Sequence, residues 1–346
     1  MNELRFDCDY GEGCHPAILR ALEESNLEQT PGYGMDAHCD RARAYIRAAC
    51  AAPEADVHFL VGGTQVNLTV IAAALRPWEG VLCADSGHIN CHETGAVEAT
   101  GHKVLSLPHR DGKISAAQLD GAIRALRGDP NFEHIVQPGM VYISQPTEYG
   151  TLYDRTELTE ISRVCRAAGL PLFLDGARLG YGLAADPSLT LADYAELCDV
   201  FYIGGTKCGC LFGEAVVICN HALKQCFRNM IKRQGGMLAK GRLLGIQFEV
   251  MFESGLYLEI GRAAVDKARA IRAALLETGI PLAIDSPTNQ LFPVLTRARQ
   301  NALAEAGFAL GVWDTTGGET DTLRICTSWA STQANTDALI AAIRAL

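Results

Sequence analysis

Long apolar runs are missing from this chain: no uncharged stretch approaches the roughly 18 residues that cross a bilayer, so no membrane span is expected. Blocks of lysine and arginine are missing too. Forty acidic against thirty basic side chains give a formal charge of −10, which repels phosphate backbones and argues against nucleic acid as a partner. No GxGxxG follows an apolar strand-like run, which removes the usual sign of a dinucleotide site. Metal-ligand spacing is also lacking. Cys208-Gly209-Cys210 is the only close cysteine pair, with a single intervening residue and no second pair or histidine cluster, so no metal site is expected.

What is present is apolar mass. With 346 residues, 48% apolar and 20% charged, the chain can bury a large core, and its length fits one large domain and a smaller one. Thirteen cysteines are an odd number, and most lie in apolar stretches such as Val216-Val217-Ile218-Cys219 or beside alanines, as in Ala48-Ala49-Cys50. They read as buried, reduced thiols. Met1-Asn2-Glu3-Leu4-Arg5 runs directly into charged sequence without a basic-then-apolar leader, which gives the expectation of a cytoplasmic protein.

Apolar strand-like runs near 57–61, 80–84, 103–107, 139–144, 171–175, 200–203 and 214–219 alternate with segments of helical spacing near 16–26, 38–51, 65–76, 115–127 and 155–168. Thr64, Ser115 and Asp154 are the expected N-caps. Such alternation predicts an α/β fold, a mostly parallel sheet covered by helices. From about 221 a basic, glycine-containing stretch leads into long helical pattern through about 278. Short strands near 281–284, 289–295 and 323–328 then alternate with helices near 298–306 and 331–345. The predicted division is a large domain over 1–250 and a small α/β domain over 251–346.

Two of the large-domain strands end in chemistry. Leu172-Phe173-Leu174 leads into Asp175-Gly176-Ala177-Arg178, and Phe201-Tyr202-Ile203 into Gly204-Gly205-Thr206-Lys207. An amine and a carboxylate at neighbouring strand ends suit pyridoxal 5′-phosphate, which needs a lysine for its aldehyde and an acid for its ring nitrogen. A lysine projecting from a buried region loses basicity and becomes a nucleophile. Arg178 can grip a substrate carboxylate through two parallel hydrogen bonds. Gly62-Gly63-Thr64-Gln65-Val66-Asn67 joins a strand to a helix and reads as a phosphate cup. His88 follows the next strand at the same sheet edge, where an imidazole can lie flat on a pyridine ring. Glu93 is a candidate acid or base, and His92 reads as structural.

Together these motifs resemble the threonine aldolases of the β-eliminating lyase family, fold-type I pyridoxal phosphate enzymes, and above all the low-specificity L-threonine aldolase and phenylserine aldolase branch. The resemblance rests on Asp9-Tyr10, Tyr33-Gly34, the 62–67 turn, Gly87-His88-Ile89, His92-Glu93-Thr94-Gly95-Ala96, Asp175-Gly176-Ala177-Arg178, Gly204-Gly205-Thr206-Lys207 and Leu323-Arg324-Ile325-Cys326-Thr327-Ser328-Trp329. It implies that Lys207 holds the cofactor, that Asp175 partners its nitrogen and that His88 stacks on its ring. Gly63, Thr64, Asn67 and Thr206 become anchoring residues, and Arg178 and Arg324 carboxylate-binding ones. Cys8 stands near the substrate carboxylate, where many relatives have serine.

The same resemblance implies homodimers or homotetramers with sites at the subunit interface, so that Tyr33 reaches a neighbour's cofactor. Glu148, in Gln145-Pro146-Thr147-Glu148-Tyr149, stands where many members have a second histidine. Leu238 follows Gly235-Gly236-Met237 where many have a phosphate-binding arginine, which leaves Lys232, Arg233 or Lys240 for that charge. The implied reaction is retro-aldol cleavage of a β-hydroxy-α-amino acid to glycine and an aldehyde, with His88, Glu93 or Glu148 as base. β-Elimination from another amino acid, or a catalytically silent cofactor- or amino-acid-binding homologue, would draw on the same residues.

Overall fold

In the computed structural model, residues 3–346 are described; Met1 and Asn2, with which the reading of the chain's start began, lie outside them. The chain opens with β1 (Leu4–Arg5), α1 (Pro16–Glu24), α2 (Ala37–Ala49), β2 (Asp56–Leu60), α3 (Gly63–Ala74), β3 (Glu79–Ala84) and the short α4 (His88–Cys91). It continues through β4 (Lys103–Leu107), α5 (Ala116–Arg127), β5 (Gln137–Ser144), α6 (Arg155–Ala168), β6 (Leu172–Asp175), α7 (Leu179–Ala185), α8 (Leu191–Leu197), β7 (Val200–Gly204) and β8 (Glu214–Ile218). Then come α9 (Phe227–Arg233), α10 (Arg242–Glu253), α11 (Leu256–Glu277), β9 (Leu282–Ile284), β10 (Gln290–Thr296), α12 (Arg297–Glu305), β11 (Phe308–Ala309), β12 (Gly311–Thr315), β13 (Thr320–Cys326) and α13 (Gln333–Arg344).

A seven-stranded sheet in the order β2-β8-β7-β6-β5-β3-β4 forms the large body. β7, β6, β5, β3 and β4 are parallel, while β8 is antiparallel to both of its neighbours. β5 to β8 are buried along almost their whole length, as expected for strands covered on both faces. One face packs on α3 and α9 through Val66, Val70, Phe227 and Ile231, and the other carries the larger core with α2, α6, α10 and α11.

β2, β3, β5, β6 and β7 all end at one edge of this sheet, and β8 starts there. The loops at that edge therefore meet, the place where open α/β sheets bind ligands. A second, four-stranded antiparallel sheet, β12-β13-β10-β9, packs with α11 and α13 around Leu291, Ile325, Leu339 and Ile343. The N-terminal segment joins that unit: β1 pairs with β11, and Phe6 enters its core.

Two expectations are corrected. The N-cap of α3 is Gly62, without a side-chain cap, rather than Thr64, because the extended backbone at Gly62 lets the helix begin with Gly63. Ser115 and Asp154 do cap α5 and α6, each in a reciprocal capping box. The long helical pattern before 278 is interrupted at Ser254-Gly255, where Gly255 takes φ +77° and turns the chain between α10 and α11.

Gly176 shows how tightly β6 and β7 pass each other at the site edge. A β-carbon on it would lie 1.9 Å from the Tyr202 carbonyl oxygen, a backbone atom that cannot swing aside. We expect Gly176→Ala to destabilise the protein by about 1–3 kcal/mol or more, read as a lower denaturant midpoint. A midpoint equal to the parent's would refute the close approach.

Candidate active site

Lys207, Asp175 and His88 converge on one cavity of about 220 Å³ at the carboxyl edge of the large sheet, lined also by Gly63, Thr64, Glu148, Arg178 and Thr206. Lys207 lies in the turn between β7 and β8. Its backbone is pinned by the Tyr181 hydroxyl, which donates to its carbonyl at 2.5 Å, and Tyr257 donates to the Gly204 carbonyl at 3.0 Å. Burial, reinforced by the charge of Arg178, lowers the Lys207 pKa below that of an ordinary lysine. That shift favours a neutral nucleophilic amine.

Asp175, 4% exposed, ends β6. Its Oδ2 accepts from the Tyr142 hydroxyl at 2.6 Å and from the Asn67 amide at 3.2 Å, and its Oδ1 accepts from the Ala177 N–H at 3.0 Å. Burial alone would raise its pKa. The charge on His88, the Tyr142 and Tyr202 hydroxyls and the Ala177 N–H outweigh that and hold it below the usual carboxylate range. An acid kept ionised in a buried place is what a protonated ring nitrogen needs opposite it.

His88 Nδ1 bonds Glu93 Oε1 at 2.8 Å, and the same oxygen accepts from Asn67 at 2.7 Å. Burial opposes charging of the ring, but the hydrogen bond to Glu93 and the charges of Asp175 and Glu93 raise the His88 pKa. Glu93 and Asn67 thus stand behind the cavity wall: both are buried, neither lines the cavity, and each holds a residue that does. Asn67, expected to anchor a cofactor, instead fixes Asp175 and Glu93. Glu93, expected as an acid or base, orients the imidazole.

Glu148, unlike Glu93, lines the cavity itself. Its Oε1 accepts from the Ser144 hydroxyl at 2.7 Å and from the His88 backbone N–H at 2.9 Å. Burial is the main cause of its raised pKa. Glu148 also borders a second cavity of about 620 Å³ lined by His92, Tyr149, Trp313, Asp314 and Arg324. His92, read from the sequence as structural, faces that space.

The two expected carboxylate-binding arginines are separated. Arg178 borders the first cavity, but its Nε and one terminal nitrogen are taken by Asp9 at 2.6 and 3.0 Å. Arg324 borders the second, donating to the Asp7 carbonyl at 2.9 Å with its guanidinium 5.6 Å over the Trp313 ring. Cys8 and Tyr33 line neither cavity. Cys8 is half-buried beside Asp9 in the chain, and Tyr33 is 47% exposed with the Lys232 amine 5.1 Å over its ring.

A cofactor phosphate has a place in the first cavity. The backbone N–H groups of Gly63, Thr64 and Gln65, in the first turn of the 12-residue helix α3, have no partner among the described residues. Free amides at a positive helix end suit an anion, so the residues present fit pyridoxal phosphate. Two contributors were missed from the sequence. Asp9, noted only as part of the Asp9-Tyr10 motif, was given no role, since it sits in irregular chain 169 positions from its partner Arg178. Glu214 did leave a trace, as the one acid opening the apolar strand Glu214-Ala215-Val216-Val217-Ile218.

The sheet order, with a carboxylate ending β6 and a lysine following β7, defines the class: a fold-type I pyridoxal phosphate enzyme fold. A family model described as beta-eliminating lyase matches residues 13–298, and the chain belongs to that family. It is similar to the low specificity L-threonine aldolase of Pseudomonas sp. (strain NCIMB 10558), 28% identical over 349 residues covering 99% of this chain and 97% of that protein. The structure of Leishmania major threonine aldolase superposes with a TM-score of 0.95 at 45% identity, covering 99% of both chains. Aspartate aminotransferase from Thermus thermophilus with maleate, at 12% identity, a TM-score of 0.70 and coverage of 99% of this chain and 91% of that one, shares the fold alone.

The Asp9–Arg178 pair yields a test. Arg178 is charged and almost enclosed, and removing Asp9 leaves it without its counter-ion. We expect Asp9→Ala to cost about 3–5 kcal/mol at neutral pH, measured by urea unfolding. Burial works against ionised Asp9, but Arg178 holds its pKa below the usual value. Its contribution is therefore complete above the unfolded-state carboxylate pKa and is lost as pH falls through the folded-state value. An advantage over the variant that survives undiminished into strong acid would show that the pair does not supply it.

Proposed function

We propose that the protein cleaves β-hydroxy-α-amino acids by a retro-aldol reaction dependent on pyridoxal 5′-phosphate, releasing glycine and an aldehyde. The observation that carries this reading is the meeting of Lys207, Asp175 and His88 on one cavity beside the unpartnered amides of α3. When bound, the cofactor supplies a conjugated acceptor for the electron pair freed from the Cα–Cβ bond.

The chain's own residues do the rest. Lys207 offers a deprotonated amine to hold the aldehyde, Asp175 keeps a proton on the ring nitrogen, and the His88 imidazole, oriented by Glu93, covers the ring. Gly63, Thr64 and Thr206 receive the phosphate. Arg324, on the second cavity, draws the substrate carboxylate; the remaining nitrogen of Arg178, on the first cavity, and Cys8 are the further candidates for it. Glu148 takes the β-hydroxyl proton: its Oε1 is fixed by Ser144 and His88, and its raised pKa brings it nearer neutrality than an ordinary glutamate. On this reading residues 1–250 carry the cofactor, and 251–346 contribute Arg324 and Trp313.

The second cavity bears on the substrate. Its volume of about 620 Å³ and its Trp313 and Tyr149 walls suit an aromatic β-substituent, as in phenylserine, better than the methyl group of threonine. In an assay of L- and D-3-hydroxy amino acids, we expect glycine and aldehyde as products and phenylserine favoured over threonine in kcat/KM by at least about tenfold. Trp313→Ala should narrow that ratio. Glu148→Gln should lower kcat by about 10²–10⁴. Lys207→Ala should lose both the visible cofactor band and borohydride fixation of the cofactor to the chain. Pyruvate and ammonia as products, or fixation that persists in the lysine variant, would overturn the reading.

We also infer a cytoplasmic homodimer or homotetramer whose sites are completed by the neighbour. Support comes from charge: the cup has no arginine free for a phosphate, whereas Tyr33, Arg228 and Lys232 flank a surface cavity of about 420 Å³. Tyr33 with Lys232, Arg233 or Lys240 would serve the adjacent subunit. Sedimentation of the holoenzyme is expected to give a dimer or larger; a monomer at assay concentration would refute this.

A further inference from the structure

β8 begins with Glu214 and is otherwise apolar and buried. Side chains alternate along a strand, so Glu214 shares a face with Val216 and Ile218, which pack with Val66 and Val70 of α3. It stands at the edge where that helix starts. Only 3% exposed, it lines the same cavity as Gly62, Gly63, Thr64 and Thr206, and its Oε2 accepts from the Gly205 N–H at 2.9 Å. A carboxyl group therefore sits inside the phosphate cup, where an arginine or lysine would be the ordinary choice.

Two anions held close in a water-poor cavity do not both stay ionised. We propose that Glu214 is a cofactor-binding acid, which keeps its proton at neutral pH, shares it in a hydrogen bond to the phosphate of bound pyridoxal phosphate, and so restricts cofactor retention to pH values below its own ionisation. The proposal rests on reading the cavity as the pyridoxal phosphate site.

The groups facing Glu214 agree with this assignment. Burial is the largest influence and, with the charge of Asp175 on β6, raises its pKa to about 8 against the opposing pull of the Thr206 hydroxyl, the Lys207 charge and the Gly205 N–H. Tyr202 on β7, Tyr257 on α11, and the thiols Cys208 and Cys210 have pKa values raised mainly by burial and remain neutral. The first turn of α3 supplies amides and no charged side chain. A phosphate arriving there pushes the carboxyl higher still. Cofactor affinity is thus level below about pH 8 and falls as pH rises above it, because binding then requires taking up a proton.

The test is retitration of cofactor-free protein with pyridoxal phosphate between about pH 6.5 and 9.5, followed by the visible band and by equilibrium dialysis. Wild type should hold a level Kd to about pH 8 and then weaken by up to about tenfold per pH unit. Glu214→Gln, which has no proton to lose, should lack the added weakening above about pH 8 whatever its affinity at pH 7. Pyridoxal, which lacks the phosphate, should lack it on the wild type, and this comparison stands even if the variant does not fold. An equal loss in Glu214→Gln, or with pyridoxal, overturns the proposal while leaving the cofactor reading intact. A wild type that takes up no pyridoxal phosphate at any pH overturns both.

Discussion

Everything at the sheet edge depends on keeping Asp175 ionised although it is almost wholly buried. A buried carboxylate without partners would take up a proton, and its value to a ring nitrogen would vanish. The protein prevents this with donors from several elements, Tyr142 from β5, Asn67 from α3 and Ala177 from the turn after β6, and with the charge of His88 from α4. The same arrangement explains Glu93, whose one oxygen holds both Asn67 and His88. Asp175, Asn67, Glu93 and His88 form one polar network, in which the electron-accepting end of the site and the imidazole wall are set together.

A second ionic contact ties that network to the rest of the chain. Asp9 follows β1, which pairs with β11 in the small unit, yet its carboxylate grips Arg178 immediately after the Asp175 turn. Asn289, preceding β10, adds a hydrogen bond to Asp9 at 2.9 Å. The N-terminal segment is thus a strap: apolar contacts at Phe6 hold it to the small unit, and a buried ion pair holds it to the large one. Bidentate geometry and low exposure make such a pair costly to break, which steadies the two units about the cavity between them.

Much of this was legible from residue order. The seven large-sheet strands appear as apolar runs within a residue or two of their places, most plainly β5 to β8, which are covered on both faces and therefore apolar almost throughout. Lys207, Asp175 and His88 were legible because each follows such a run, and strand ends of one sheet necessarily meet. What escaped notice depends on long-range pairing. The antiparallel insertion of β8 between β2 and β7 leaves no mark in periodicity, yet it turns Glu214 toward the phosphate end. Asp9 is one acid in an irregular stretch, and its role exists only once Arg178 is brought to it. Asn67 and Glu93 were found at the right edge but lie behind the cavity wall, since a sequence shows which edge a polar residue occupies and not its depth.

Glu148 belongs to both cavities, and that position explains a division of labour. The small cavity holds a rigid constellation of charges suited to one cofactor, with little room for variation. The larger one, walled by Trp313, Tyr149 and Arg324, has the volume and the mixed polar and aromatic lining through which substrates are distinguished. On the proposed reading, a base for the β-hydroxyl would need to border both, because the cofactor would be held on one side and the variable group of the substrate on the other. Glu148 has one oxygen fixed by Ser144 and His88, so its orientation is set from the cofactor side while it borders the substrate side. A carboxylate placed at that junction can serve different side chains without disturbing the network that holds Asp175 ionised.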